Sequence, residues 1–144
     1  MGERVADETT ITAPIDTVWD VIADVEAYPE WTEGIEHATV LSVTDEGYPH
    51  QARFTVDAKV TEVTYTIEYS YDDYDVRWHL VEAELLSQLD GSYLLREQDG
   101  ATHVHYQLEV DIALPLPGFM KKRAARTILE QGLQGLKTRA QEFG

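Results

Sequence analysis

The sequence predicts an α+β fold: a curved, seven-stranded antiparallel sheet wrapped around one long C-terminal helix, with two short helices after the first strand. Three observations carry this. Residues 13–31, APIDTVWDVIADVEAYPEW, hold a short helical stripe ended by a Tyr-Pro turn. After Gly34 the chain alternates apolar and polar residues at a period of two, the mark of half-buried strands. From Gly118 onward apolar residues return at steps of three and four, the period of a helix packed along one side.

A first strand spans about residues 4–12. In the stretch that follows, Ile15, Val18, Trp19 and Ile22 fall at i, i+3, i+4 and i+7, one apolar stripe of a helix. Pro14 opens it where a missing N–H costs nothing, and Asp16 stands in the first turn, where the helix dipole favours negative charge. Tyr28, preceding Pro29, is pushed away from helical backbone, so the chain turns there. The strands then alternate. Phe54, Val56 and Ala58 share one face, as do Val63, Tyr65, Ile67, Tyr69 and Tyr71, then Val76, Trp78 and Leu80, then Val104, Tyr106, Leu108, Val110 and Ile112. Asp45-Glu46-Gly47, Asp72-Asp73-Tyr74-Asp75 and Gln98-Asp99-Gly100 supply hairpin turns between them. Gly91, inside the run 85–97, is expected to mark a bulge that helps the sheet curl.

Pro115 and Pro117 stop the last strand, and the closing helix runs from Gly118 to about residue 142. At 1.5 Å per residue its roughly 25 residues reach about 37 Å, enough to span the sheet. Met120, Ala124, Ile128, Leu129, Leu133, Leu136, Ala140 and Phe143 give it an apolar side. Gly132 and Gly135 each cost about 1 kcal/mol relative to Ala in a helix interior. Close approach to the sheet and room for a ligand both answer that cost.

Composition bounds the functions. A chain of 144 residues reads as a single domain over residues 1–144, with a sizeable core and, if the sheet curves, a cavity. No apolar run is long enough to span a membrane. The first residues lack a secretory h-region and fail the myristoylation pattern. With no cysteine there is no disulfide, thiolate nucleophile or Cys-held metal, and a cytoplasmic location is the simplest reading. The net charge of −16 argues against nucleic acid as a partner. The charge is uneven: six basic residues against two acids from Gly118 onward give a local +4, while the rest carries −20. A basic helix lying across an acidic body explains this. Contact of Lys121, Lys122, Arg123 and Arg126 with acidic lipid headgroups or an acidic partner is the alternative.

The order strand, Ala13-Pro14, Val18-Trp19, Val21-Ile22, Tyr28-Pro29-x-Trp31, meander and C-terminal helix resembles the START-like (Bet v 1-like, helix-grip) polyketide cyclase/dehydrase and lipid-transport superfamily, over roughly residues 5–143. The resemblance implies a cavity between sheet and helix. Superfamily members include cyclases, lipid carriers, ubiquinone-binding proteins and stress-related binders, so it specifies fold more than function.

The candidate site is an inward aromatic lining: Trp31, Phe54, Tyr65, Ile67, Tyr69, Trp78, Tyr93 and Tyr106, with Met120, Ala124 and Ile128 from the helix. Its apolar body and few hydroxyls suit a hydrophobic ligand bearing polar atoms; an ordinary aromatic core is the other reading. His103 and His105, two apart, project from the opposite face, with His79 beside them, and read as solvated rather than as zinc ligands. His37, at the mouth or wall of the cup, is the one histidine considered as an acid or base. Asp57, Glu68, Glu109 and Asp111 fall on the solvated phase; Glu33 and Glu36 lie nearer the mouth. Arg53 and Arg96 also point outward, whereas the resemblance implies that cyclases hold polyketide oxygens with an inward arginine or hydroxyl. The sequence therefore points to binding or transport of a lipid, isoprenoid, quinone or polyketide by a non-catalytic protein, without cofactor or metal, as monomer or dimer. An aromatase/cyclase or dehydratase using the same pocket, and a protein-interaction module, are the alternatives.

Overall fold

The structure, a computed structural model, describes residues 3–57 and 62–143. Strand β1 (Glu3–Ile11) leads to helix α1 (Ile15–Ala23) and a 3₁₀ helix (Val25–Glu30). Six strands follow: β2 (Ile35–Val43), β3 (Pro49–Asp57), β4 (Glu62–Asp72), β5 (Asp75–Ala83), β6 (Leu86–Gln98) and β7 (Ala101–Ile112). Helix α2 (Gly118–Phe143) closes the chain. The sheet order is β1-β7-β6-β5-β4-β3-β2, with antiparallel pairing throughout. The two helices after β1 carry the chain from one edge of the sheet to the other, where the meander begins. Ala58 lies outside the described residues.

The alternation in the sequence sets the register. Phe54, Ile67, Tyr69, Trp78, Tyr93 and Tyr106 are all buried on the face that meets α2. Across the ladder Phe54 faces Tyr65, Tyr69 faces Trp78, and Tyr93 faces Tyr106, so aromatic residues meet in cross-strand pairs. The hairpins form where turn chemistry predicts them: Asp99 and Gly100 both adopt positive φ between Gln98 and Ala101, the two-residue turn whose twist matches paired strands. One end of the cup is sealed by Trp19, which meets the rings of Tyr48, Tyr71 and Tyr74 edge-on at 5.5–5.8 Å. Thr102, fully buried, donates its hydroxyl to the carbonyl of Ala13 and ties the turn before α1 to β7.

Gly91 is not a bulge. It pairs in register with Trp78 on β5 and Leu108 on β7. A Cβ there would stand 2.3 Å from the Trp78 indole, so the glycine is required because the ring lies over it. The irregularity of β6 falls instead between Leu86 and Gln88. Nearby the β5–β6 ladder ends at His79↔Asp90, while β5 stays with β4 as far as Tyr65↔Ala83 and β6 with β7 as far as Leu86↔Ile112. The sheet thus parts toward one rim, which relieves the strain of curving around a helix.

In α2 the buried stripe is Ala125, Leu129, Gly132, Leu133, Leu136 and Ala140. Both helix glycines serve close approach. A Cβ on Gly132 would come within 3.1 Å of the Tyr106 ring, and one on Gly135 within 2.3 Å of the Trp31 carbonyl oxygen. The second contact is with the turn after the 3₁₀ helix rather than with the sheet. The charge complementarity expected of α2 is realised at Arg139, which pairs with Glu30 at 3.0 Å. Lys121, Lys122, Arg123 and Arg126 make no ion pair with any described residue. Among the described residues no helix is long and apolar enough to cross a membrane.

These contacts make a stability prediction. Gly135→Ala gains about 1 kcal/mol of helix propensity but forces backbone apart at Trp31. A net loss of about 1–3 kcal/mol is expected in urea unfolding, with Gln134→Ala, on the exposed side, near neutral. An unchanged midpoint for Gly135→Ala would mean that α2 does not press on Trp31.

Candidate functional site

Between the sheet and α2 lies a cavity of about 120 Å³. Trp31, Phe54, Tyr65, Ile67, Tyr69, Trp78, Tyr93, Tyr106 and Ile128 all line it. Met120 and Ala124 do not. Met120 is 38% exposed in the first turn of α2, beyond the end of the sheet, and Ala124 packs against the edge of the core. Leu108 and Val110, which alternation on β7 already placed inward, complete the wall together with residues it did not single out: Tyr28 from the 3₁₀ helix, Thr32 from the turn after it, and Leu86 and Leu89 from β6. Tyr28 had a legible signal, its i+3 spacing from Val25 on the same short turn.

Two aromatic groups shape the space. Tyr28 meets Trp31 edge-on at 4.9 Å and stacks on Phe54 at 6.0 Å, and Phe54 stacks on Tyr65 at 5.6 Å. Opposite, Trp78 lies 5.3 Å from Tyr93 and 6.0 Å from Tyr106, which stack on each other at 4.5 Å. Tyr69, 6.1 Å from Trp78, reaches toward Tyr28. Such offset and edge contacts are each worth about 0.5–1.5 kcal/mol beyond area burial, which stiffens the wall.

The hydroxyls divide by partner. Tyr28 donates to the carbonyl of Ile22, leaving its oxygen as an acceptor toward Tyr69. Tyr93 and Tyr106 turn their hydroxyls toward each other and can use only one proton between them. Tyr65 has no hydrogen-bond partner among the described residues. Tyr65 and the spare proton of the Tyr93–Tyr106 pair border the open space, and a bound oxygen would give each a hydrogen-bond partner.

Burial raises every one of these phenols. Tyr28, Tyr69 and Tyr93 lie well above the ordinary 10.0, chiefly by desolvation and then by neighbouring phenols. Tyr65 is raised by desolvation, and Tyr106 is pushed up to about 12 by the same cause. Among the described residues, charged side chains reach the lining only at the mouth. There Glu33 and Asp57 stand beside Gly34 and Gln131, and Gln131 Nε2 lies 3.4 Å from a Glu33 carboxylate oxygen. Glu36, held above the ordinary carboxylate value of 4.5 by its contact with Glu62, lies outside the lining.

Most of the outward residues stand on the solvated face as expected; His105, half-buried, departs from that expectation. His37 is exposed on β2 and does not line the cavity. Arg53 reaches Glu82 at 4.0 Å and Arg96 pairs with Asp75 at 2.6 Å, both on the convex face. His79 stands 3.6 Å from Glu68, whose carboxyl is lowered first by the Gln51 amide and then by His50 and His79. His103 lies 3.5 Å from Glu8, and His105 Nδ1 is buried without a partner. No three such side chains among the described residues converge as metal ligands would.

A START superfamily protein from Mycobacterium smegmatis superposes with a TM-score of 0.90 at 23% identity, over 99% of this chain and all of that one. The Zhui aromatase/cyclase from Streptomyces sp. R1128 superposes with a TM-score of 0.82 at 19% identity, over 99% and 95%. At these identities the likeness is one of fold. Residues 11–137 also match the family model described as polyketide cyclase / dehydrase and lipid transport, so the chain belongs to that family.

Proposed function

We propose that this protein binds a small, uncharged hydrophobic ligand carrying at least one carbonyl or ether oxygen, in the cavity between the sheet and α2. The observation that carries this reading is the Tyr65 hydroxyl, without a partner among the described residues, in a wall that is aromatic and aliphatic behind the polar mouth. Among the described residues no lysine, arginine or histidine lines the space, so a carboxylate ligand would find no counter-charge on those walls. Size limits the buried part. An apolar cavity of about 150 Å³ takes one benzene ring, so the 120 Å³ here fits a single ring or a short branched chain. A lipid, isoprenoid, quinone or polyketide would bury one end and leave the remainder at the mouth, past Glu33 and Gln131. Contact of the cationic start of α2 with an acidic lipid surface belongs to the same reading.

A second reading, cyclisation or dehydration of a polyketone in the same pocket, is favoured by the neutral phenols. A phenol that keeps its proton can polarise a carbonyl by donating to it. It cannot serve as a base near neutral pH, so any proton would have to leave toward the mouth carboxylates. Incubation with a reactive polyketone, comparing Tyr65→Phe and Tyr106→Phe with the parent, decides between the two: a product distribution that none of these changes alters removes the catalytic reading.

For binding, acetophenone and ethylbenzene are matched probes that differ in one oxygen. The parent protein is expected to prefer acetophenone in NMR titrations, and Tyr65→Phe to erase about 3–10-fold of that preference, the worth of one hydrogen bond. Shifts absent from the Phe54, Trp78 and Tyr106 signals at saturating probe would refute an internal site.

The raised phenols also set a pH dependence. In the unfolded chain they ionise near 10.0, whereas in the fold they hold their protons to higher pH. Above that value the unfolded state binds fewer protons than the native one, so stability is fully present below about pH 10 and falls as pH rises beyond it. Urea unfolding from pH 8 to 11 is expected to show a flat region and then a decline, less steep in Tyr93→Phe. A decline equally steep in that variant would mean that Tyr93 ionises freely in the fold.

A further inference from the structure

We propose that the first turns of α2 form a docking surface for an anionic phospholipid bilayer, with Phe119 and Met120 entering the interface and Lys122 and Arg123 meeting the headgroups. This rests on the cavity being a site for a hydrophobic ligand, and it names the phase with which that ligand is exchanged. Phe119 is 66% exposed and Met120 38%, adjacent on a helix that follows the half-buried Leu114 and Leu116. Phe119, Lys122, Arg123 and Arg126 stand at i, i+3, i+4 and i+7, which places an aromatic ring and three cations along one stripe.

The cations are out of place by every local criterion. Lys121, Lys122 and Arg123 crowd the beginning of α2, where the positive end of the helix dipole disfavours them, and no acid stands in that turn. None pairs with a described carboxylate, although the chain carries 27 acids. Lys121 is half-buried and Arg126 reaches the Ala6 carbonyl at 3.4 Å, which leaves Lys122 and Arg123 as the freely exposed pair. Cations flanking exposed apolar side chains match a surface with charge outside and hydrocarbon beneath. An acidic polypeptide would answer the cations and leave the Phe119 ring in water.

Location joins the patch to the cavity. Strand pairing puts the start of β1, β2, β4 and β6 and the end of β3, β5 and β7 at one rim of the sheet. The cavity is walled there by Ile35, Asp57, Leu86 and Ile112, and Gly118 lies against Glu3 at the same rim. Glu36 and Glu62 sit on the β2–β4 side, away from the β1 edge that α2 follows. An anionic bilayer repels that side, where the mouth carboxylates Glu33 and Asp57 also stand, and attracts the helix start, so the protein settles tilted, with the β1 edge of the rim and the start of α2 toward lipid.

Flotation tests this with vesicles of phosphatidylcholine containing about one-third phosphatidylserine, and with phosphatidylcholine alone. The parent protein is expected to float with the anionic vesicles at low salt and not with the neutral ones. Phe119→Ser with Met120→Ser, and separately Lys122→Glu with Arg123→Glu, should each lower the bound fraction at least about ten-fold. Arg53→Glu with Arg77→Glu, which changes net charge equally on the convex face, should leave it within about two-fold. The proposal is overturned if the parent fails to float, if the convex-face control loses as much as the helix variant, or if soluble polyglutamate captures the protein while vesicles do not. Acetophenone titration of the same variants keeps the two ideas apart: intact probe binding without flotation defeats the docking surface alone, and flotation without probe binding defeats the cavity reading on which it rests.

Discussion

How closely α2 can approach the rest of the fold decides whether this protein is hollow. At Gly135 the helix touches the Trp31 carbonyl so tightly that a single methyl group would not fit, and one turn earlier Gly132 lies against the Tyr106 ring. Those contacts hold one half of the helix down. Toward its N-terminus the helix presents Ile128 and Gln131 to open space instead. The glycines therefore narrow the hollow where they stand, and Trp31, clamped from above, becomes a fixed wall rather than a mobile flap.

The same steric logic operates on the sheet. The Trp78 ring occupies the position that a side chain on Gly91 would claim, and from there it reaches both Tyr93 and Tyr106. A larger residue at position 91 would push the indole into about 120 Å³ of space that it already borders. Cavity shape is thus written in the smallest residues of the chain, which permit large neighbours to lean on backbone. Rigid aromatic walls of this kind suit a ligand with a flat buried part, because little side-chain freedom is left to lose on binding.

Strand faces were legible because a period of two leaves no choice: once one face is apolar, Phe54, Tyr65, Tyr69, Trp78, Tyr93 and Tyr106 must share it. The helix end was not. A stripe of three- and four-residue steps runs unbroken from Met120 to Phe143, but periodicity carries no information about where the opposing sheet stops. Since β7 ends at Ile112 and α2 begins at that rim, Met120 overhangs and Ala124 stays at the margin. Gly91 misled for a related reason. A strand glycine signals either a bulge or a close neighbour, and only the partner across the ladder, Trp78, distinguishes them. Tyr28 carried a signal in its i+3 spacing from Val25, but the stronger turn signal of Pro29 overrode it.

What the walls can do chemically follows from their neutrality. Water entering a space of 120 Å³ would number about four molecules at roughly 30 Å³ each. Each would seek two to four hydrogen bonds, and the walls offer mainly ring faces, the Tyr65 hydroxyl and the spare proton of Tyr93 and Tyr106. Such water is poorly held, so an apolar body that displaces it gains free energy. An oxygen on that body, placed against Tyr65, recovers the one polar contact that matters. Affinity then comes from the rings and orientation from the phenols, and the described walls, which carry no cation, favour a neutral body over an acid.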